Sequence, residues 1–126
     1  MKFEGEYLKG QRNGKGIEYY YSGIINFKGE YLNGKRNGKG KEYNYNGKLE
    51  FEGEYLNGKR NGKGKEYHLY KDKLLYEGEY LDGKRNGKGK EYYINGKLLY
   101  EGEYYNGNKL TGKVFDKKGN FYYDLK

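Results

Sequence analysis

The sequence predicts an all-β protein built from tandem β-hairpins. Three observations carry this: an aromatic–glycine pattern that returns every 24 or 25 residues, a two-residue alternation inside each unit, and recurrent Asn-Gly turn signals. Helices are disfavoured, because glycine recurs too often and alanine, the best helix former, is absent.

The repeat is set by the aromatic that opens each unit: Phe3, Phe27, Phe51, Tyr76 and Tyr100. The units run over about 3–26, 27–50, 51–75, 76–99 and 100–126, all within one domain, 1–126. The third unit carries an extra residue near Tyr70-Lys71-Asp72-Lys73. The fifth loses a residue before Gly112 and drifts into KVFDKKGNFYYDLK, the behaviour of a terminal cap. The first unit starts at residue 3 with no leader, so its open edge is either covered by a partner or belongs to a longer chain.

Within the third unit, Phe51, Gly53 and Tyr55 alternate with Glu52, Glu54 and Leu56, and Leu49 is expected on the Phe51 side. Asn57-Gly58-Lys59-Arg60-Asn61-Gly62 reads as a turn-rich loop, and a second strand follows through Tyr67. Glycine weakens a strand unless packing requires it. Here Gly53, Gly62 and Gly64 leave gaps over which a ring can lie. The opposite face then carries Glu52 and Glu54 facing Lys63 and Lys65. The parity of Tyr19, Tyr43, Tyr67 and Tyr92 is wrong for the glycine side. Either a bulge switches the face or these rings cover the other one.

Composition narrows the function. The 126 residues carry a net charge of +8, 35% charged residues and a mean hydropathy of −1.35. That polarity would suggest disorder, but 19 Tyr and 23 Gly argue otherwise, since tyrosine buries a ring while its hydroxyl stays wet. No apolar run approaches the roughly 20 residues of a membrane-spanning helix. MKFEGEYLKG lacks the apolar stretch of a secretory signal. Without Cys there is no disulfide framework and no thiolate chemistry, which fits the cytoplasm, with membrane or cytoskeletal association as a further expectation. One Ser (Ser22), one Thr (Thr111) and one His (His68) leave little for nucleophilic catalysis.

The units resemble MORN repeats (membrane occupation and recognition nexus), whose core reads Y-x-G-x-[WY]-x-x-G-x-x-x-G-x-G. Phe27, Gly29, Tyr31, Gly34, Gly38 and Gly40 carry it here. Four units match over the whole core and the fifth over its first half. Tyr stands where many members have Trp, Phe opens three units, and the rings after the second strand sit one position late. The resemblance implies an elongated, open, single-layer antiparallel sheet of successive hairpins with an aromatic-lined groove. At ~4.8 Å per strand, five units would span on the order of 50 Å. It also implies protein scaffolding, self-association and binding of acidic phospholipids, with no catalysis by the repeats.

Two residue sets are candidate contacts. The ring ladder comprises Phe3, Tyr7, Phe27, Tyr31, Phe51, Tyr55, Tyr76, Tyr80, Tyr100 and Tyr104. These rings are either the core or, because a single layer has no second layer to cover it, a partly exposed stripe for a partner. The basic loops comprise Arg12, Lys35, Arg36, Lys59, Arg60, Lys84 and Arg85. They read as solvated turns or as a line of cations at intervals of about 10 Å, facing a polyanion or lipid surface. Gly34-Lys35-Arg36-Asn37-Gly38-Lys39 is no phosphate loop, since three residues rather than four separate its glycines and no Ser or Thr follows the Lys. His68 is solitary and reads as a linker substitution, so no metal or other cofactor is expected. Glu-x-Glu pairs recur in four units, whereas a catalytic acid needs one special setting.

The expected function is non-catalytic: a scaffold that binds a helical or extended protein segment along the aromatic groove and self-associates through its terminal edge. The alternative is peripheral binding to acidic phospholipid or phosphoinositide membranes through the basic loops. Nucleic acid is disfavoured by the glutamate ladder.

Overall fold

Short turns decide the architecture. Asn57 and Gly58 take φ of 49° and 88°, and Asn33-Gly34, Asp82-Gly83, Asn106-Gly107 and Lys9-Gly10 do the same. Two consecutive positive φ values make a type I′ turn, whose twist matches the strands it joins. The connection is therefore two residues long, and Lys59, Arg60 and Asn61, expected in a loop, begin the second strand.

The structure is a computed structural model that describes residues 2–69 and 72–126. Among them every regular element is a strand: β1 (Lys2–Leu8), β2 (Gln11–Tyr19), β3 (Ile25–Leu32), β4 (Lys35–Tyr43), β5 (Leu49–Leu56), β6 (Lys59–Tyr67), β7 (Leu74–Leu81), β8 (Lys84–Tyr92), β9 (Leu98–Tyr105), β10 (Asn108–Phe115) and β11 (Phe121–Leu125). Each pairs antiparallel with the next in one open sheet running in chain order from β1 to β11. The extra residue of the third unit, near Tyr70-Lys71, lies outside the described residues.

Each hairpin is bent by a bulge. Gly53 pairs with Gly64 and Tyr55 with Arg60, so β6 carries two surplus residues. Gly62 absorbs the kink at φ 101°. The carboxylate of Glu54 accepts the N–H of Lys63 at 2.7 Å. Glu30 with Lys39 and Glu79 with Lys88 repeat the arrangement. A bulge leaves backbone donors without ladder partners, and the glutamate supplies the acceptor. In the last hairpin, one residue shorter, Lys109 pairs with Tyr104 and Thr111 with Glu103, leaving one surplus residue.

Between hairpins the chain turns at Asn44, whose side chain accepts the N–H groups of Asn46 and Lys48 at 2.9 and 3.0 Å. Asp116 does the same for Lys118 and Asn120. A second bulge follows at Glu50, because Tyr43 pairs with Leu49 and Glu42 with Phe51. Leu49 therefore shares a face with Tyr43, not with Phe51. In the later units it is the bulge residues, Leu75 and Leu99, that pack against the core.

The core is a ladder of rings on one face. Phe51 meets Tyr55 of its own strand at 5.7 Å and Tyr80 of the next hairpin at 5.2 Å, both edge-to-face. Phe27, Tyr76 and Tyr100 continue the series. Such pairs each contribute about 0.5–1.5 kcal/mol beyond area burial. A Cβ at Gly64 would lie 2.6 Å from the Phe51 ring, and one at Gly53 would lie 2.6 Å from the Cα of Gly64. The expected ring-over-glycine packing is therefore present at Gly53 and Gly64, whereas Gly62 lies against the side chain of Glu54.

Candidate functional site

The ring face is closed. Phe27, Phe51, Tyr76 and Tyr100 are 0% exposed, and Tyr31, Tyr55, Tyr80 and Tyr104 are 3–5% exposed. Phe3 is half-buried, and Tyr7 is exposed. The eight buried rings therefore line no open groove and act as the core. What covers Phe27, Phe51 and Tyr76 are the arginines expected in the loops, and Lys109 lies over Tyr100. The guanidinium carbons of Arg36, Arg60 and Arg85 sit 4.0, 4.0 and 4.2 Å from the ring centres of Phe27, Phe51 and Tyr76, and Arg12 sits 4.1 Å from that of Phe3. A guanidinium plane over a ring face is a cation–π contact that also excludes water.

Arg36, Arg60 and Arg85 are each held by a glutamate of the preceding hairpin, whereas Arg12 has Glu18 of its own hairpin at 4.0 Å. Arg36 bonds Glu18, Arg60 bonds Glu42 and Arg85 bonds Glu66, at 3.0, 3.0 and 2.9 Å. The hydroxyls of Tyr31, Tyr55 and Tyr80 donate to the same three carboxylates. Burial by itself would raise the carboxyl of Glu42. The hydrogen bonds from Arg60 and Tyr55 outweigh it and hold the group below the usual carboxylate range, and Glu18 and Glu66 behave alike. Burial first, and then the carboxylate beside each, raises the hydroxyls of Tyr31, Tyr55 and Tyr80. These arginines are consumed within the fold. Of the expected basic contacts, Lys35, Lys59 and Lys84 remain exposed, beside the hairpin turns.

The other face is open. A trough of about 1410 Å³ crosses the sheet, floored by backbone at glycines such as Gly29, Gly40, Gly53 and Gly64. Its walls are charged. Lys41 pairs with Glu52, Glu52 with Lys65, Lys65 with Glu77, Glu77 with Lys90 and Lys90 with Glu101. A second row sets Lys39 against Glu54 and Lys63 against Glu79. The parity question is settled by hydrogen bonds: Tyr67 donates to Glu52 at 2.5 Å and Tyr92 to Glu77 at 2.6 Å, so these rings cover the charged face. Burial and the Glu52 bond push the Tyr67 hydroxyl up to about 12.

The family model for the MORN repeat matches residues 3–25, 27–48, 51–68 and 76–97. The chain belongs to the MORN-repeat family. Comparison with curated proteins gives no match. MORN repeats are generally protein- or membrane-interaction modules and typically non-catalytic. In this MORN protein the Glu-x-Glu pair of the third unit serves the sheet: Glu54 caps the bulge at Lys63 and Glu52 accepts the Tyr67 hydroxyl. His68 bonds the carbonyl oxygen of Tyr92 at 3.0 Å, and among the described residues no three His, Cys, Asp or Glu side chains cluster as a metal site.

Sequence reasoning missed two features of the MORN sheet. One is the trough, whose signal was the shared parity of the Lys and Glu positions, read only as charge pairing. The other is a row of leucines, Leu8, Leu32, Leu56 and Leu81, each just before its turn and about half exposed.

Proposed function

We propose that this MORN protein is a non-catalytic interaction module that holds a segment of a partner protein in its glycine-floored trough. The observation that supports this is the trough itself, a continuous channel of about 1410 Å³ walled by alternating lysines and glutamates. Backbone floors admit close approach, and alternating charges offer hydrogen bonds and ion pairs at every strand. Copies also associate through the edges of β1 and β11, each of which has one neighbour in the sheet.

A second reading rests on the turn edge. Leu32, Leu56 and Leu81 stand opposite Lys35, Lys59 and Lys84 in the strand register, so exposed apolar and cationic side chains share one rim. That combination suits an acidic membrane surface.

Affinity capture with three chains separates the two readings. A trough variant carries Lys41→Glu, Lys65→Glu and Lys90→Glu; a rim variant carries Lys35→Glu, Lys59→Glu and Lys84→Glu. Loss of captured protein by the trough variant alone is expected. Loss by the rim variant alone, with salt-sensitive pelleting on phosphatidylserine vesicles, would favour the membrane instead.

A further inference from the structure

The trough has one break in its charge order, and we propose that this break anchors an acidic residue of the partner segment and so sets the segment's register. From Lys41 to Lys113 the outer row alternates strictly, lysine against glutamate. At its other end, Ile17 pairs with Lys28 and Lys28 with Lys41. Lys28 occupies the position that Glu52, Glu77 and Glu101 hold in later hairpins. Two lysines thus stand directly opposed, an arrangement that destabilises a strand pair unless an anion joins them. Neither forms an ion pair among the described residues.

The same exchange alters the neighbouring tyrosine. Tyr67 and Tyr92 each donate to the glutamate of their own hairpin. Tyr43 has Lys28 where that carboxylate would be. Tyr43, Ile17, Lys28 and Lys41 all line the trough. Two ammonium groups and a phenol surround the place a carboxylate would occupy, and Ile17 offers an apolar shelf for its methylene stem.

The charge order explains why such an anchor matters. Along β5–β10 successive hairpins present the same row, so a bound segment could slide by one hairpin with little change in energy. The pair Lys28–Lys41 occurs once. A carboxylate placed there fixes the segment against sliding. This inference rests on the trough reading above and goes beyond it by naming the recognised group.

The test uses a fluorescent oligoglutamate peptide at low salt, oligoglutamine as its neutral control, and amide chemical shifts of the labelled full chain. Shifts centred on Ile17, Lys28, Lys41 and Tyr43, with none from oligoglutamine, are expected. Lys28→Glu restores the residue of the later hairpins, so it keeps the fold while weakening the peptide about tenfold or more. Lys41→Gln, a milder change, weakens it less. Glu77→Lys places a lysine between Lys65 and Lys90 and creates a second set of shifts on β6–β8. Unchanged affinity in Lys28→Glu, or shifts spread evenly along the trough, would overturn the anchor and leave the trough reading standing. Shifts confined to the turn edge would overturn both. Lys28-dependent binding of phosphatidylserine vesicles without peptide binding would also overturn the anchor, in favour of a lipid headgroup.

Discussion

The first hairpin and the interior hairpins share nearly the same residues and differ in burial. Tyr7 and Tyr31 both sit in a Gly-Glu-Tyr-Leu stretch, yet Tyr7 is 59% exposed and Tyr31 only 4%. Tyr31 packs on Phe3 of the preceding hairpin and bonds Glu18 beyond it. Among the described rings Tyr7 meets Phe3 alone, on its own strand, at 5.5 Å. A unit's second ring is therefore buried where a preceding hairpin lies against it. Stability in such a sheet is a property of neighbours, as one-dimensional repeat arrays require.

The comparison can be broken by filling the ring gap. Gly53→Val puts side-chain atoms where Gly64 Cα and Phe51 already lie within 2.6 and 2.8 Å. A loss of at least ~4 kcal/mol in a urea melt is expected, against less than about 1 kcal/mol for Leu56→Ala at the exposed rim. A melt with the reverse order would contradict the face assignment. Ring truncation tests the neighbour effect directly. Tyr55→Ala should cost about 3–5 kcal/mol and Tyr7→Ala under about 1 kcal/mol. Equal costs would mean that the preceding hairpin does not matter.

The arginine lid sharpens the same contrast more gently. Glu42→Gln leaves Arg60 half-buried without its counter-charge, at an expected cost of about 1–3 kcal/mol. The effect depends on pH. The carboxyls of Glu18, Glu42 and Glu66 lie below their ordinary values when folded, so their contribution is complete above the unfolded pKa of about 4.5 and vanishes as pH falls through the folded values. The Tyr67 and Tyr76 hydroxyls are raised to about 12, so their contribution is complete below about 10 and vanishes as pH rises toward 12. Stability measured against pH should show a plateau between roughly pH 5 and 9, and Glu42→Gln should shallow the acid limb and, because the Glu42 carboxylate adds to burial in raising the Tyr55 hydroxyl, part of the alkaline limb. The smallest effect is expected for Lys59→Gln at the exposed turn edge, within about 0.5 kcal/mol by the same melt.

The hairpins, a turn at each Asn-Gly, the ring-over-glycine complement and the residue lost before Gly112 were legible because each is local: spacing and backbone preference within one unit specify them. The role of the arginines was not. Arg36, Arg60 and Arg85 follow a turn dipeptide and look solvent-bound until a two-residue turn places them on a strand. The side of Leu49 was missed for a related reason, since one bulged residue reverses a parity that plain alternation would assign.

Residue order alone thus determined a family, a ladder of hairpins and the partition of rings and charges between two faces. Only the assembled sheet decided which face stays open. Exposure depends on what neighbouring strands lay over a side chain: arginine and glutamate seal the rings, while the glycine backbone between the rows of lysine and glutamate floors an open trough.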